Sequence, residues 1–240
     1  MSLRAGVGAA TGSLVFEGIA RLRQLTTPNS FFSQTYLQLN TPFGLSARVF
    51  WNRFSAPTVR LSGLLEGGVL DAQANDLSRS DMIDVELMVN RTFDLAGIEN
   101  TLIAGVGYRF KEVEWTWLRD GVQTQHHGAV FLQDTLRFGD DLDLVLSVRG
   151  DLHPLLDAQF YPRGSVVIHP YPGNTIRVTG GSAYRSPTFT ESYVLVPQST
   201  PVRGVGAFGS GNPSLNPELI VSVELGYMNK MSEYFALELN

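Results

Sequence analysis

The sequence contains no cysteine, which excludes disulfide staples and thiolate metal sites. No run of 18 or more apolar residues occurs, so a transmembrane helix is excluded on length. Lys and Arg number 18 against 23 Asp and Glu, and without a basic stripe this balance argues against a nucleic-acid partner. The start at Met1 has no basic, apolar and cleavage regions in series, so no signal peptide is visible.

Apolar and polar residues alternate along many stretches of about ten residues. In the clearest stretch, Leu142, Leu144 and Leu146 share one face, and Asp143 and Ser147 lie opposite. The pattern predicts twelve strands, at residues 3–10, 14–24, 31–40, 44–54, 80–92, 101–117, 127–138, 142–152, 159–169, 175–185, 218–229 and 233–240. No helix is predicted, because no segment combines helical spacing with capping residues.

The connectors between these strands alternate between short and long. The short turns are at 11–13, 41–43, 94–100, 139–141, 170–174 and 230–232, and the long loops are at 55–78, 118–125, 153–158 and 186–216. A short loop is predicted at 27–29. Strands of this length with one-sided long loops are typical of an antiparallel up-and-down transmembrane β-barrel. A soluble β-sandwich is the alternative, but its strands are usually only five or six residues long.

Several segments of the second half resemble the barrel of TonB-dependent outer-membrane receptors. Residues 129–134 are similar to the family's aromatic-Gln-Asp strand, residues 142–151 to its L-x-L-x-x-G-x-R-x-D strand with Gly and Arg displaced, and residues 161–165 to its P-R strand start. Residues 181–193 resemble Y-x-x-A-F-R-x-P-x-x-x-E-x-Y, with Tyr184 where Phe is common. Residues 211–218 resemble G-N-P-x-L-x-P-E, and E-x-G follows at Glu224.

The resemblance implies a monomeric barrel of about 22 strands, filled by an N-terminal plug, in the outer membrane of a Gram-negative bacterium. It implies a receptor without enzymatic activity or cofactor that binds a small molecule or metal chelate, such as siderophore-iron or cobalamin. Uptake would be powered by the TonB complex through a peptide near the receptor's N-terminus. Twelve strands are about ten too few for such a barrel. Residues 1–240 are therefore expected to be one internal barrel section without a plug domain.

The resemblance also implies an orientation, because the family's G-N-P-x-L-x-P-E loop lies outside the cell. The loops at 55–78, 118–125 and 153–158 would then be external. The turns that would face the periplasm are Gly12, Pro42, 94–100, 139–141, 170–174 and 230–232.

No catalytic group and no metal site is predicted, because the histidines and the Asp140-Asp141 turn lack the spacing of a known site. The ligand-contact candidates lie near the external rim: Trp115, Trp117, His126 and His127. Membrane-interface anchoring for the aromatic residues and a solvated rim pair for the histidines are the alternatives. A structural role at the loop base is predicted for seven residues of the family motifs: Arg185, Pro187, Glu191, Asn212, Pro213, Pro217 and Glu218.

Two other functions fit the same pattern. One is a passive porin or an adhesin-type barrel, and the other is a soluble β-rich module of carbohydrate-binding type. A plug domain encoded upstream would separate the receptor from the porin, and extraction that depends on detergent would separate both from the soluble module.

Overall fold

The computed structural model describes residues 1–17, 23–58, 60–63, 76–199, 206–230 and 236–239. The strands within these ranges are β1 (Ser2–Glu17), β2 (Arg23–Asn40), β3 (Leu45–Thr58), β4 (Arg60–Gly63), β5 (Asp76–Leu95), β6 (Ile98–Glu114), β7 (Val122–Phe138), β8 (Leu142–His153), β9 (Leu156–Ile168), β10 (Asn174–Arg185), β11 (Leu195–Ser199), β12 (Gly206–Ser210), β13 (Glu218–Lys230) and β14 (Ala236–Leu239). A single turn of helix, α1, spans Phe189–Tyr193. Among the described residues, no helix is long and apolar enough to cross a membrane.

Twelve of the strands form one sheet. Its order is β1-β2-β3-β5-β6-β7-β8-β9-β10-β13-β14, and the short β4 pairs with β2. Every neighbouring pair is antiparallel, so the chain runs up and down through the sheet. The remaining strands, β11 and β12, form a separate hairpin within the connector between β10 and β13. The predicted all-β, up-and-down partial barrel is confirmed.

One face of the sheet, called here the outer face, carries an apolar belt. The register aligns Val49, Val85 and Tyr108 across three strands, and Ala47, Leu87 and Val106 across the same strands. Leu87 and Val106 keep 47% and 50% of their surface exposed although both are apolar. A bare apolar face of this extent is typical of a surface that contacts lipid.

The belt has the height of a membrane. On β6 the apolar outer positions run from Leu102 to Phe110. These eight steps along a tilted strand span about 20 Å vertically, close to the apolar band of an outer-membrane barrel. Above Phe110, Glu112 and Glu114 occupy the outer positions, and Arg79 binds both carboxylates, at 3.9 and 2.8 Å. The strands therefore extend past the apolar belt on this side.

The opposite, inner face is polar and charged. Arg109 donates to Asp84 at 2.7 Å, and Arg48 lies 3.5 Å from Glu86. Nearer the turns, Arg137 bridges Glu99 and Asp143. Such pairs suit a wet lumen, because isolated charges would be costly in lipid.

The first forty residues differ from the prediction of three strands. β1 continues through the predicted turn at 11–13, where a register shift between Gly12 and Leu14 marks a bulge. β2 continues through the predicted loop at 27–29, and Pro28 falls in a gap of its pairing with β3 and β4. A proline is tolerated where no ladder hydrogen bond is required. The placement of Gly12 in a periplasmic turn was therefore wrong. The connector that reverses the chain, 18–22, lies outside the described residues.

The predicted loops are also shorter than expected. β3 and β5 extend into the predicted loop at 55–78, so only residue 59 and residues 64–75 lie outside the described residues there. β8 and β9 leave only two residues between them. The predicted absence of helix was wrong at α1, and the loop at 186–216 also contains β11 and β12.

The sidedness of the other connectors is confirmed. The connectors at 41–44, 96–97, 139–141 and 169–173 lie at one end of the sheet. The predicted turn at 230–232 lies mostly outside the described residues. The turn at 96–97 is tight, and Ala96 and Gly97 both have positive φ, as a two-residue hairpin requires. The connectors at 115–121 and 154–155 and the described parts of the long loop, 186–199 and 206–217, lie at the opposite end.

Candidate functional site

Two of the connectors at the long-loop end are joined to each other. Arg119 donates its backbone N–H to the carbonyl of Tyr193 at 2.8 Å, and Leu195 donates to the carbonyl of Trp117 at 2.7 Å. Between them Leu118 forms a bridge to Val194 and keeps only 3% of its surface exposed. We call this assembly of residues 115–121, 188–195 and 211–212 the clasp.

A capping box forms the short helix of the clasp. Thr188 is the N-cap, and its hydroxyl accepts a hydrogen bond from the Glu191 backbone N–H at 3.2 Å. The Glu191 carboxylate in turn accepts from the Thr188 backbone N–H at 2.7 Å. This reciprocal pairing satisfies two backbone donors that a five-residue helix could not satisfy internally.

Arg185 ties the clasp to the barrel wall. It is the last residue of β10, and its guanidinium donates to both oxygens of Glu218, at 2.9 and 2.7 Å. The same guanidinium donates to both oxygens of Glu191, each at 3.1 Å. Two bidentate carboxylate contacts use the full planar fork of an arginine, which a lysine could not reproduce. The structure brings these three residues together at the loop base, and their structural role there stays a prediction.

Gly211 allows the end of the long loop to approach the helix backbone. A Cβ at this position would lie 2.7 Å from the Ser192 carbonyl carbon and 2.8 Å from the Glu191 oxygen. Gly211 donates to the carbonyl of Val194 at 2.7 Å, and Asn212 donates to that of Glu191 at 2.8 Å. The Asn212 side chain then accepts from the Ser214 N–H at 2.9 Å, which closes a turn. The Gly-Asn pair of the motif thus joins the backbone of the loop to the backbone of the helix.

The other three motif residues are prolines that lie next to these elements. Pro187 directly precedes the N-cap Thr188, and Pro213 lies within the turn that Asn212 closes. Pro217 directly precedes Glu218, the first residue of β13.

The Arg185 contact makes the clasp sensitive only to strong acid. Hydrogen bonding to Arg185, and then to Thr188, lowers the pKa of Glu191 from 4.5 to about 2. Because the folded-state pKa is depressed, the contact contributes in full above about pH 4.5 and is lost as the pH falls towards 2. We expect the fluorescence of the clasp tryptophans to change between pH 4 and about 2. The Glu191→Gln variant should lack this transition, and an unchanged titration in that variant would contradict the assignment.

Below the clasp, the inner wall of β5 to β10 forms a polar recess of about 230 Å³. Its floor carries paired charges, such as Asp84 with Arg109 and Arg149 with Asp151 at 2.8 Å. Its side carries the Tyr161 and Tyr184 rings, which meet edge to face at 5.6 Å. The recess therefore offers hydrogen-bonding groups and aromatic surface to a small polar molecule.

The upper part of the recess carries the cation of Lys111. His127 and His153 lie beside it, and the two imidazole rings meet at 4.7 Å. Lys111 has no acidic partner among the residues that the structure describes. Because the carboxylates of the recess are already engaged by arginines, its free charge is positive. The recess can thus accept an anionic group.

The structure separates the four predicted contact residues. His127 faces the recess, and its Nε2 donates to Gln125 Oε1 at 3.2 Å. His126 lies on the outer face, where its Nδ1 is 2.7 Å from the Tyr108 hydroxyl and its ring packs against Phe110. The rings of Trp115 and Trp117 lie in the clasp, with their centroids 5.1 Å apart and their planes tilted by 46°. The histidines cannot act as a pair, since neighbouring strand residues point to opposite faces.

His127 is a recess residue that the sequence predicted as a ligand contact. Most of the other lining residues could not be identified from the sequence, because they come from several strands and form no local motif. The helix of the clasp has a signal in the sequence, since Thr188 and Glu191 have the S/T-x-x-E spacing of a capping box. Within the described ranges, no group of three or more His, Asp or Glu side chains is arranged to hold a metal ion.

Several solved structures share this fold. The siderophore receptor PirA from Pseudomonas aeruginosa is 16% identical, with a TM-score of 0.65, over 96% of this chain and 44% of that one. The siderophore receptor PirA from Acinetobacter baumannii is 15% identical, with a TM-score of 0.64, over 95% and 41%. A variant of the ferric enterobactin receptor PfeA from P. aeruginosa, in complex with enterobactin, is 14% identical, with a TM-score of 0.70, over 90% and 34%. The chain thus spans less than half of each. A comparison with the curated proteins returned no match.

The sheet, its belt and its inner recess define an up-and-down barrel section of the outer-membrane receptor type. The model of the family described as TonB dependent receptor-like, beta-barrel matches residues 9–236. The chain belongs to this family. Its members are receptors and transporters of the Gram-negative outer membrane.

Proposed function

We propose that the chain is part of the barrel wall of an outer-membrane receptor that takes up an anionic metal chelate of siderophore type, energised by the TonB complex. The observation that carries this proposal is the recess on the inner wall, in which Lys111 has no acidic partner among the described residues. The similar structures include siderophore and ferric enterobactin receptors, which supports this class of ligand. Residues 1–240 would form one barrel section of a monomer, with the plug and the TonB-contact segment outside it.

Within this proposal, Trp115, Trp117 and His127 remain candidate ligand contacts. The two tryptophans stand at the tip of the β6–β7 hairpin, at the long-loop end of the sheet. His127 lies deeper, beside Lys111 in the recess. A ligand arriving from outside would meet the indoles first and the basic recess second. His126 faces outward beside Tyr108 and Phe110, where it serves better as an interface anchor.

Uptake of radiolabelled ferric chelates by cells that carry the complete natural protein tests the function. We expect saturable uptake that disappears when the cells lack TonB. Uptake that is linear in concentration and independent of TonB would contradict the proposal and favour the passive porin. A protein that fractionates without detergent would contradict both.

A substitution of Lys111 tests whether the recess is the ligand-binding site. Replacing it with methionine keeps most of its volume and removes the unpaired cation, so we expect the affinity for an anionic ferric chelate to fall about tenfold. Quenching of tryptophan fluorescence measures the affinity. Lys230→Met is the matched control, because Lys230 lies at the opposite end of the sheet. Equal affinities in the two variants would remove Lys111 from the site.

A further inference from the structure

The outer face contains a trough within its apolar belt. Gly164 of β9 and Gly180 of β10 are directly paired, and neither presents a side chain to the outer face. Leu146 and Val148 form one wall, and Val221 and Val223 form the other. The trough has a volume of about 650 Å³, which lies in the range of ligand-sized cavities.

One charged side chain of the outer face lines this trough. Asp134 of β7 lies in register with Leu102 and Leu146 on the outer face, where apolar residues are expected. One oxygen of its carboxylate is shielded from solvent and has no hydrogen-bond partner in the part of the chain that the structure describes. An ionisable residue facing lipid is costly and marks a functional site whose partner must be found. The other charged residue at the trough, Arg163, lies against Gly181 on the inner face.

The height of Asp134 suggests what that partner is. The residue lies four positions from Phe138, where β7 ends and the turn at 139–141 begins. This distance is about 13 Å along the strand, or about 9 Å vertically for a tilted strand. Asp134 is thus near the boundary between hydrocarbon and headgroups of the nearer leaflet. From there the trough continues into the hydrocarbon, past Val148 and Val221.

We propose that this trough binds a phospholipid of the surrounding bilayer whose headgroup carries a primary ammonium. The ammonium donates a hydrogen bond to the Asp134 carboxylate, and an acyl chain lies over Gly164 and Gly180. Charge complementarity selects this lipid, since the trough presents a carboxylate and no outward-facing cation. An anionic headgroup would be repelled, and a quaternary ammonium has no N–H to donate. The inference rests on the membrane location proposed above.

Native mass spectrometry of the complete natural protein in detergent, with defined added lipids, tests the proposal. The lipids are phosphatidylethanolamine, phosphatidylcholine and phosphatidylglycerol with identical acyl chains. We expect phosphatidylethanolamine to be retained about tenfold more than the other two. Equal retention of the three, or a second protein bound in place of lipid, would overturn the proposal.

Two variants separate headgroup from chain binding. Asp134→Asn should remove the preference for phosphatidylethanolamine, whereas Asp140→Asn, at the exposed turn, should keep it. Gly180→Leu should lower retention of all three lipids, and it should fold because no atom lies within 4 Å of a Cβ at Gly180. An unchanged preference in Asp134→Asn would overturn the proposal. Failure of the natural protein to sediment with membranes after a urea wash would instead refute the proposed function itself.

Discussion

Replacing Leu87 with arginine is expected to destabilise the protein in a bilayer by about 2–4 kcal/mol. Leu87 lies at mid-height of the outer belt, between Ala47 and Val106, and 47% of its surface is exposed. In water an arginine at such an exposed position would be almost neutral. In lipid it must bring a guanidinium into hydrocarbon. Glu86 points to the inner face, and Asp81, the nearest carboxylate on the outer face of β5, lies six residues away. The loss of stability therefore comes from moving a charge into lipid rather than from lost packing contacts.

Met88→Arg is the matched control for this prediction. Met88 is the next residue along β5 and points to the inner face, beside Glu86 and opposite Ser46 and Gly105. An arginine there meets a polar lumen, so we expect a change of about 0.5 kcal/mol or less. Urea-dependent unfolding from lipid vesicles of the complete natural protein measures both values. Equal effects of the two variants would show that the outer face does not contact lipid.

Replacing Gly211 with alanine is expected to open the clasp. The added Cβ would lie 2.7–2.8 Å from three backbone atoms of Glu191, Ser192 and Tyr193. Backbone atoms cannot rotate away as a side chain can, so the helix and the loop must separate. Overpacking of this kind costs about 1–3 kcal/mol, which would speed hydrogen exchange in residues 188–217 about 10- to 100-fold.

Hydrogen exchange read by mass spectrometry localises that effect. Peptides from residues 115–121 should also exchange faster in Gly211→Ala, because Leu118 and Arg119 are bonded to the same helix. Gly8→Ala is the control, since a Cβ at Gly8 meets nothing within 4 Å. Faster exchange in 188–217 alone, with 115–121 unchanged, would show that the two loops are not coupled.

The period-2 pattern predicted the faces of the strands correctly wherever the alternation was long. Leu144, Leu146 and Val148 share the outer face, and Asp143 and Ser147 share the inner one. The same rule, applied to His126 and His127, predicts opposite faces. Their adjacency in sequence had suggested a pair because the loop was expected to reach Gln125, whereas β7 begins at Val122.

Other features could not be predicted from the sequence for physical reasons. Glycine and proline occur at bulges and at gaps in strand pairing as well as in turns. The sequence therefore predicted a turn within β1 and a loop within β2. The recess depends on the register of several strands, and Lys111, His127 and His153 meet only when that register is known. The trough depends equally on the pairing of Gly164 with Gly180.

Spin-label accessibility along β5 is the most direct test of the claim that the outer face contacts lipid and the inner face contacts water. The absence of native cysteine allows a single label to be placed at each position in turn. We expect labels at Val85, Leu87 and Val89 to collide mainly with oxygen, which concentrates in lipid, and labels at Glu86 and Met88 to collide mainly with a water-soluble nickel chelate. Accessibility to the nickel chelate at all five positions, with no alternation, would contradict the account.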